Sequence, residues 1–159
     1  SKTISPSIRI SYMVLPPLLL ERFRQTLGFY SCTVSSFEQY TLAKFMENGY
    51  FERHINRMRK AYKLKRDAII KTIKTSPLGA KSECLEENSG LHFIMKLKTD
   101  LTDEELIKQA KQKDMKISCL SQYCHKQEHI EPSMVIINYS GIDTGDVEKA
   151  VQVLGEIVE

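Results

Sequence analysis

The sequence predicts a mixed α/β chain in two parts, a helical part with one strand over residues 1–76 and a small domain over residues 77–159. Three patterns support this prediction. Ile10 to Leu15 is a short apolar run of the kind that forms a buried strand. Tyr50 to about Thr75 carries apolar residues at steps of three, four or seven, which predicts one long helix. Leu91 to Leu97 places Leu91, Phe93, Met95 and Leu97 on one face, as a strand with a buried face does.

Two shorter helices are predicted between the first strand and the long helix. Pro17 suits the first turn of a helix over Leu18 to Leu27, because proline has no N–H to satisfy there. Ser35 and Glu38 have the spacing of a capping box and begin a second helix, which breaks at Gly49. Residues 1–76 are therefore mainly helical.

Residues 77–159 show the order of a small layered domain. A turn-rich stretch, Thr75 to Gly79, separates it from the long helix. Its elements are predicted in the order β-α-β-β-α, beginning near Leu91, Thr102, Lys116, Met134 and Thr144. Helices are expected to cover one face of the sheet.

Composition and charge exclude several classes of protein. A hydrophobic content of 42% and a charged content of 27% are ordinary for a globular chain. The apolar run Met13 to Leu20 is too short to span a bilayer, and no basic segment precedes an apolar one as in a signal peptide. The predicted location is the cytoplasm. The net charge of +3 gives little support for a nucleic-acid partner.

Two alternative binding sites follow from residue patterns. Four cysteines without a C-x-x-C pair indicate reduced thiols, although Cys119, Cys124, His125 and His129 could be written as a zinc site. Ordinary thiols and loop histidines are favoured, and no metal is predicted. The lysines and arginines of the long helix could form a nucleic-acid ridge. They are spread over its solvent sides without interleaved aromatic residues, which favours a solvated face.

The N-terminal residues Ser1 to Tyr12 hold the candidate binding site. Lys2 lies in a Ser/Thr/Pro loop, and Arg9 follows at the entrance to the predicted strand. A lysine amine can form a Schiff base with a carbonyl cofactor, and a guanidinium binds phosphate in a bidentate fork. The pair therefore suits a phosphorylated carbonyl cofactor.

The amino-acid sequence of residues 1–12 resembles the segment around the cofactor lysine in fold-type I pyridoxal-phosphate (PLP) enzymes, the aspartate aminotransferase superfamily. The resemblance implies that Lys2 carries PLP and is the catalytic lysine, and that Arg9 contacts the PLP phosphate. Residues 34–39 and 49–62 resemble the MocR group of bacterial regulators, in which a GntR-type winged-helix DNA-binding domain precedes an aminotransferase-like domain. Residues 90–92 and 120–123 also resemble sequence segments of the MocR group.

The resemblance implies that the chain is the C-terminal half of that aminotransferase-like domain. Residues 1–76 would be the end of the PLP-binding large domain, and residues 77–159 its small domain. A lone strand cannot satisfy its backbone groups, and the other strands of the large domain would precede Lys2. We therefore expect this chain alone to bind PLP weakly and to lack transaminase activity.

One position departs from the aminotransferase pattern. The resemblance places Ile136 where an arginine holds the substrate carboxylate, and no arginine follows Arg66 in the sequence. Lys96 or Lys98 could replace it only as less directional charges.

The sequence thus predicts part of a PLP-binding, effector-sensing domain of a transcriptional regulator. The expected partners are PLP, an amino-compound effector, a second copy in a homodimer, and DNA through a winged-helix domain outside this chain. The alternative is part of a working aminotransferase, with Lys2 also moving protons. A third possibility is a nucleic-acid-binding module centred on residues 53–74.

Overall fold

The computed structural model describes residues 4–5, 7–88, 90–124 and 131–158. Its contacts divide the chain into two compact units, an N-terminal unit (Ser1–Arg59) and a C-terminal unit (Lys60–Glu159). The division falls inside the long helix, whereas the sequence places a boundary at residue 76. That boundary concerns the domains of the longer family fold and stays a prediction.

Helices dominate the described residues of the N-terminal unit. Helix α1 (Pro17–Leu27) begins with Pro17 in its first turn, as predicted. Helix α2 (Ser36–Glu47) is capped by Ser35, whose hydroxyl accepts the Glu38 N–H at 3.4 Å. Gly49 has a φ of +68°, a conformation that suits glycine and lets the chain turn into helix α3 (Tyr50–Thr75).

The predicted strand Ile10–Leu15 is wrong for this chain, since these residues form no strand. A strand needs a neighbour to bond its N–H and C=O groups, and the described part of this unit offers none. The side chains show the same shortage of partners, because none of the described residues before Ile69 is buried.

The C-terminal unit holds the core. Strands β1 (Ser82–Leu85), β2 (His92–Leu97) and β3 (Met134–Asn138) form an antiparallel sheet in the order β1-β2-β3. Helices α4 (Asp103–Gln112) and α5 (Val147–Ile157) supply further apolar residues. The core residues that are least exposed come from both layers and include Phe93, Met95, Leu106, Ala110 and Val135.

The long helix belongs partly to this core. Ile69, Ile70 and Ile73 near its C-terminal end are buried in the same cluster as the sheet residues. The apolar stripe predicted from the sequence is therefore confirmed where it meets the sheet. Burying three such side chains stabilises the unit by several kcal/mol, at about 1.5–3 kcal/mol for each one.

Two strand predictions fail in the C-terminal unit. Strand β1 was not predicted, and Lys116–Leu120 is not a strand, so the order is β-β-α-β-α. Cys119 forms an isolated bridge with Val135, and the Ile136 N–H donates to the Ser118 oxygen at 2.8 Å. Pairing stops there because the chain turns into a 3-10 helix at Leu120–Tyr123. The mixed α/β class itself is confirmed.

Candidate functional site

Arg9 follows a short hydrogen-bonded turn. The Ser5 and Ser7 hydroxyls lie 2.7 Å apart, and the Ile8 N–H donates to the Ser5 oxygen at 3.1 Å. The turn leaves the Arg9 side chain exposed, and within the described residues it has no hydrogen bond or ion pair. Lys2, the predicted cofactor lysine, lies outside the described residues, so its position relative to Arg9 stays a prediction.

A guanidinium that is exposed, and that has no partner among the described residues, fits a phosphate ligand, since its N–H donors can bind phosphate oxygens. The cavity in the same unit does not fit a phosphorylated pyridine equally well. It encloses about 270 Å³ and is lined mainly by apolar residues from the N-terminal segment and α2, namely Ile4, Ile8, Ile10, Phe37, Leu42 and Phe45. The described residues therefore offer one candidate side chain for a phosphate, Arg9, and no closed cofactor pocket around it.

The larger candidate site is a groove in the C-terminal unit, which we call the β3 groove. It has a volume of about 840 Å³ and lies between β3, the residues before Tyr123, and α5. Ile117, Ile136 and Ile137 provide apolar surface in it. Exposed polar side chains also line it, including those of His92, Lys116, Asn138, Tyr123 and Asp146. Apolar walls with a few polar groups are typical of small-molecule sites.

Ile136, where the aminotransferase pattern has an arginine, lines this groove. It pairs with Ile94 of β2, so that two aliphatic side chains lie together on the sheet face opposite the core. An aliphatic side chain cannot bind a carboxylate by a charge-assisted hydrogen bond. The groove wall at Ile136 thus favours an apolar part of a ligand.

The two lysines considered as replacements for the arginine have other partners. The Lys96 ammonium pairs with the Glu131 carboxylate, and that hydrogen bond raises the pKa of Lys96 above its ordinary value. The Lys98 ammonium donates to the Ala80 backbone oxygen at 3.3 Å. Neither lysine lines the β3 groove, whereas Lys116 does. Sequence reasoning therefore missed Lys116, the lysine that lines this groove.

The alternative zinc site receives no support from Cys119. This thiol is fully buried, and burial together with the nearby Asp103 carboxylate raises its pKa to about 12. Its side chain belongs to the hydrophobic core cluster, as expected for an ordinary core thiol. His125 and His129 lie outside the described residues. Among the described residues, no group of three His, Cys, Asp or Glu side chains could hold a metal ion.

Two arginines of α3 have structural partners. The Arg53 guanidinium lies 4.5 Å from the centre of the Tyr50 ring and donates to the Asn48 oxygen at 3.2 Å. Arg66 binds Asp67 and the turn that follows β1. These contacts weaken the nucleic-acid interpretation of this helix, since two of its cations are occupied.

The fold is that of part of an aminotransferase. A kynurenine aminotransferase from Pyrococcus horikoshii, solved with PMP, matches 89% of this chain with a TM-score of 0.72 and 19% identity. The α-aminoadipate aminotransferase LysN from Thermus thermophilus, complexed with N-(5'-phosphopyridoxyl)-L-leucine, matches 91% with a TM-score of 0.69 and 16% identity. This chain covers 34% and 36% of those two chains. At such low identity the likeness concerns the fold.

The relatives in sequence are HTH-type transcriptional regulators. Two from Bacillus subtilis, the uncharacterized regulators YdeL and YhdI, are 36% and 34% identical over 97% of this chain. The probable rhizopine catabolism regulatory protein MocR of Rhizobium meliloti is 28% identical over 97%. The chain is therefore similar, over nearly its whole length, to one part of HTH-type transcriptional regulators that include MocR, and it has the fold of part of an aminotransferase.

The chain spans about a third of the length of these relatives, between 31% and 33%. No protein-family model matches the sequence. None of the helices in the described residues is long and apolar enough to cross a membrane.

Proposed function

We propose that the chain belongs to a PLP-binding domain that senses an amino compound and controls the DNA binding of a bacterial regulator. The relationship to HTH-type regulators over 97% of the chain, combined with an aminotransferase fold, carries this proposal. Residues 1–76 would complete the cofactor-binding large domain, and residues 77–159 would form the small domain. The protein would act as a cytoplasmic homodimer and bind DNA through an HTH domain outside this chain.

In this proposal, Arg9 binds the phosphate of PLP and Lys2 holds its reactive carbon. PLP supplies a carbonyl group that reacts reversibly with amines. The turn at Ser5–Ser7 directs the Arg9 guanidinium to solvent, where a phosphate can reach it. An effector changes DNA binding only if it binds one conformation of the regulator more tightly than another.

The N-terminal unit supports a larger working domain. Its described residues are all at least partly exposed, and several large apolar side chains are among the most exposed of the chain: Tyr12, Val14, Leu18, Phe29, Phe37 and Tyr40. Exposed apolar area of this extent marks a surface that other protein covers. We therefore expect this chain alone to bind PLP weakly.

The test compares PLP binding by this chain with PLP binding by a longer regulator that would contain it. Each protein is incubated with PLP, reduced with borohydride, and digested for mass spectrometry. We expect the longer protein to gain the mass of reduced PLP at Lys2 at full stoichiometry and this chain to gain little. Lys2→Ala is the control for the attachment site, and Arg9→Ala should weaken binding in the longer protein. Full labelling of this chain would contradict the proposal.

A working aminotransferase is the second candidate, favoured by the aminotransferase fold. Ile136 in the β3 groove and the pairing of Lys96 with Glu131 count against it, because Ile136 cannot pair with an amino-acid carboxylate and Lys96 does not line the groove. Single-turnover assays of the PLP-loaded longer protein with amino acids distinguish the two. Conversion of the cofactor to its amino form with release of an oxo acid supports the enzyme. DNA-binding changes without that conversion support the sensor.

A further inference from the structure

The Asp103 carboxylate joins two residues that are far from it in sequence. Its Oδ1 atom accepts the Ser133 N–H at 2.7 Å. Its Oδ2 atom accepts a hydrogen bond from the Ser121 hydroxyl. Ser121 lies in the 3-10 helix Leu120–Tyr123, whereas Ser133 directly precedes β3. One carboxylate thus fixes two separate segments of the C-terminal unit.

Asp103 is not needed as the cap of α4. Thr102 is the N-cap, and its hydroxyl accepts the Glu105 N–H at 3.3 Å. The Glu105 carboxylate in turn accepts the Thr102 N–H at 2.9 Å. With this capping box complete, both oxygens of Asp103 remain available for bonds outside its own helix.

Ser133 is held from several sides. It is 2% exposed and has a φ of +62°, which is unfavourable for a residue with a Cβ atom. Its hydroxyl donates to the Leu101 oxygen at 3.0 Å, and its own oxygen accepts the Leu97 N–H at 2.9 Å. Such a conformation persists only where neighbouring contacts enforce it, and Asp103 supplies one of these contacts.

The two segments tied by Asp103 each contribute to the lining of the β3 groove. Leu120 and Tyr123 line it next to Ser121. Val135 and Ile136 line it shortly after Ser133. The Cys119–Val135 bridge joins the two segments directly, and Asp103 ties them beyond it. We propose that Asp103 is a positioning residue, a latch that holds the 3-10 helix Leu120–Tyr123 beside the start of β3 and so controls access to the β3 groove at Leu120 and Tyr123. The latch is independent of which ligand the groove takes.

Cys124 provides a direct probe of the latch. Its N–H donates to the Ser121 oxygen at 3.3 Å, and its thiol is half-buried, so release of Ser121 should expose it. Cys84 of β1 is also half-buried and serves as the internal reference, because it is not joined to Asp103. Native labelling by iodoacetamide, followed for each cysteine by peptide mass spectrometry, measures both in one sample. The full 159-residue chain is used.

Ser121→Ala removes one arm of the latch, and Asp103→Ala removes both. We expect Ser121→Ala to raise the Cys124 labelling rate about tenfold relative to Cys84, because a hydrogen bond to a charged group is lost. Asp103→Ala should raise it further, and the double variant should match Asp103→Ala. Glu104→Gln, which removes an exposed neighbouring carboxylate, should leave the ratio unchanged.

Three outcomes would overturn the proposal. An unchanged ratio of the Cys124 and Cys84 labelling rates in Ser121→Ala shows that the hydrogen bond between Ser121 and Asp103 does not hold this segment in place. A parallel increase at both cysteines shows global unfolding in place of local opening. If the increase in the Cys124 labelling rate in the double variant equals the product of the increases in the two single variants, Asp103 and Ser121 act independently. If Asp103→Ala does not fold, the Ser121→Ala and Glu104→Gln variants still suffice. They show whether the Cys124 to Cys84 ratio is unchanged or whether both cysteines are labelled faster in parallel.

Discussion

The Nη1 atom of Arg66 donates to the backbone oxygen of Glu87 at 3.0 Å, which fastens helix α3 to the turn between β1 and β2. The same nitrogen donates to the Asn88 Oδ1 atom at 2.8 Å, and Nε and Nη2 bind the Asp67 carboxylate. The Arg66 side chain is 15% exposed and its bond to the Glu87 oxygen is partly buried, whereas its bonds to Asp67 and Asn88 are exposed. Planar guanidinium geometry allows this set of bonds from one side chain.

Arg66→Lys should therefore destabilise the C-terminal unit although it keeps the charge. A lysine ammonium cannot reproduce the fork, and the partly buried Glu87 carbonyl loses its donor, so we expect a loss of about 1 kcal/mol in the free energy of unfolding. Urea denaturation measures it. Arg59→Lys is the matched control on the same helix, because Arg59 is exposed. Equal effects of the two substitutions would contradict the structural role of Arg66.

The two units should differ in hydrogen exchange. The amides of α1 and α2 belong to helices without a buried residue, whereas Phe93 and Met95 of β2 are fully buried. We expect α1 and α2 to exchange within seconds and β2 to be protected by orders of magnitude, since opening free energies follow local burial. Mass spectrometry of peptic peptides measures this. Comparable protection in both units would show that the N-terminal unit carries a core of its own.

The helices could be predicted from the sequence, whereas the strands of the sheet could be predicted only in part. Apolar periodicity and local caps determine α3 and α4, and both lie within one stretch of sequence. Strand β1 has the sequence Ser-Glu-Cys-Leu, which lacks a clear apolar alternation, and it forms because β2 pairs with it. In contrast to β1, Ile10–Leu15 has strand-forming residues but no partner strand among the described residues, and it forms no strand.

The candidate site shows the same limit. Exposure of Arg9 could be expected from its place after a Ser/Pro turn. The contacts of Asp103 could not, because Ser121 and Ser133 are 18 and 30 residues away. Lys116 was likewise assigned to a strand, while the fold places it beside the β3 groove. Pairings of this kind depend on the path of the chain and leave no local signal.

Cys119 should make stability depend on alkaline pH. Burial and the Asp103 carboxylate raise the pKa of its thiol from the ordinary 9.0 to about 12. The unfolded chain then loses the proton at a lower pH than the folded chain. The stabilising contribution is complete below pH 9.0 and declines above it until the folded pKa of about 12 is passed.

For one thiol, this slope cannot exceed about 1.4 kcal/mol per pH unit. Urea unfolding under reducing conditions between neutral and alkaline pH measures it. Cys119→Ala should be less stable at neutral pH and should lose less stability on alkalinisation. Lysines also titrate at high pH, so the comparison rests on the difference between the two proteins. Parallel curves for both proteins would show that Cys119 ionises equally in the folded and unfolded chains.

The capping box of α4 should make stability depend on acid pH. The Thr102 N–H and hydroxyl both donate to the Glu105 carboxylate, at 2.9 Å and 3.0 Å, and these bonds lower the pKa of Glu105. A carboxyl group whose pKa is lower in the folded state stabilises it at pH values above the unfolded pKa. This contribution is lost as the pH falls through the folded pKa.

Glu105→Gln keeps an acceptor for the Thr102 N–H but removes the titrating group. We therefore expect this variant to lose less stability than the wild type on acidification, as measured by thermal unfolding over a series of acidic pH values. Glu104→Gln, one residue earlier and exposed, is the control and should follow the wild type. If Glu104→Gln and Glu105→Gln flatten the pH dependence equally, the effect comes from net charge near the start of α4 and the capping bonds have no separate role.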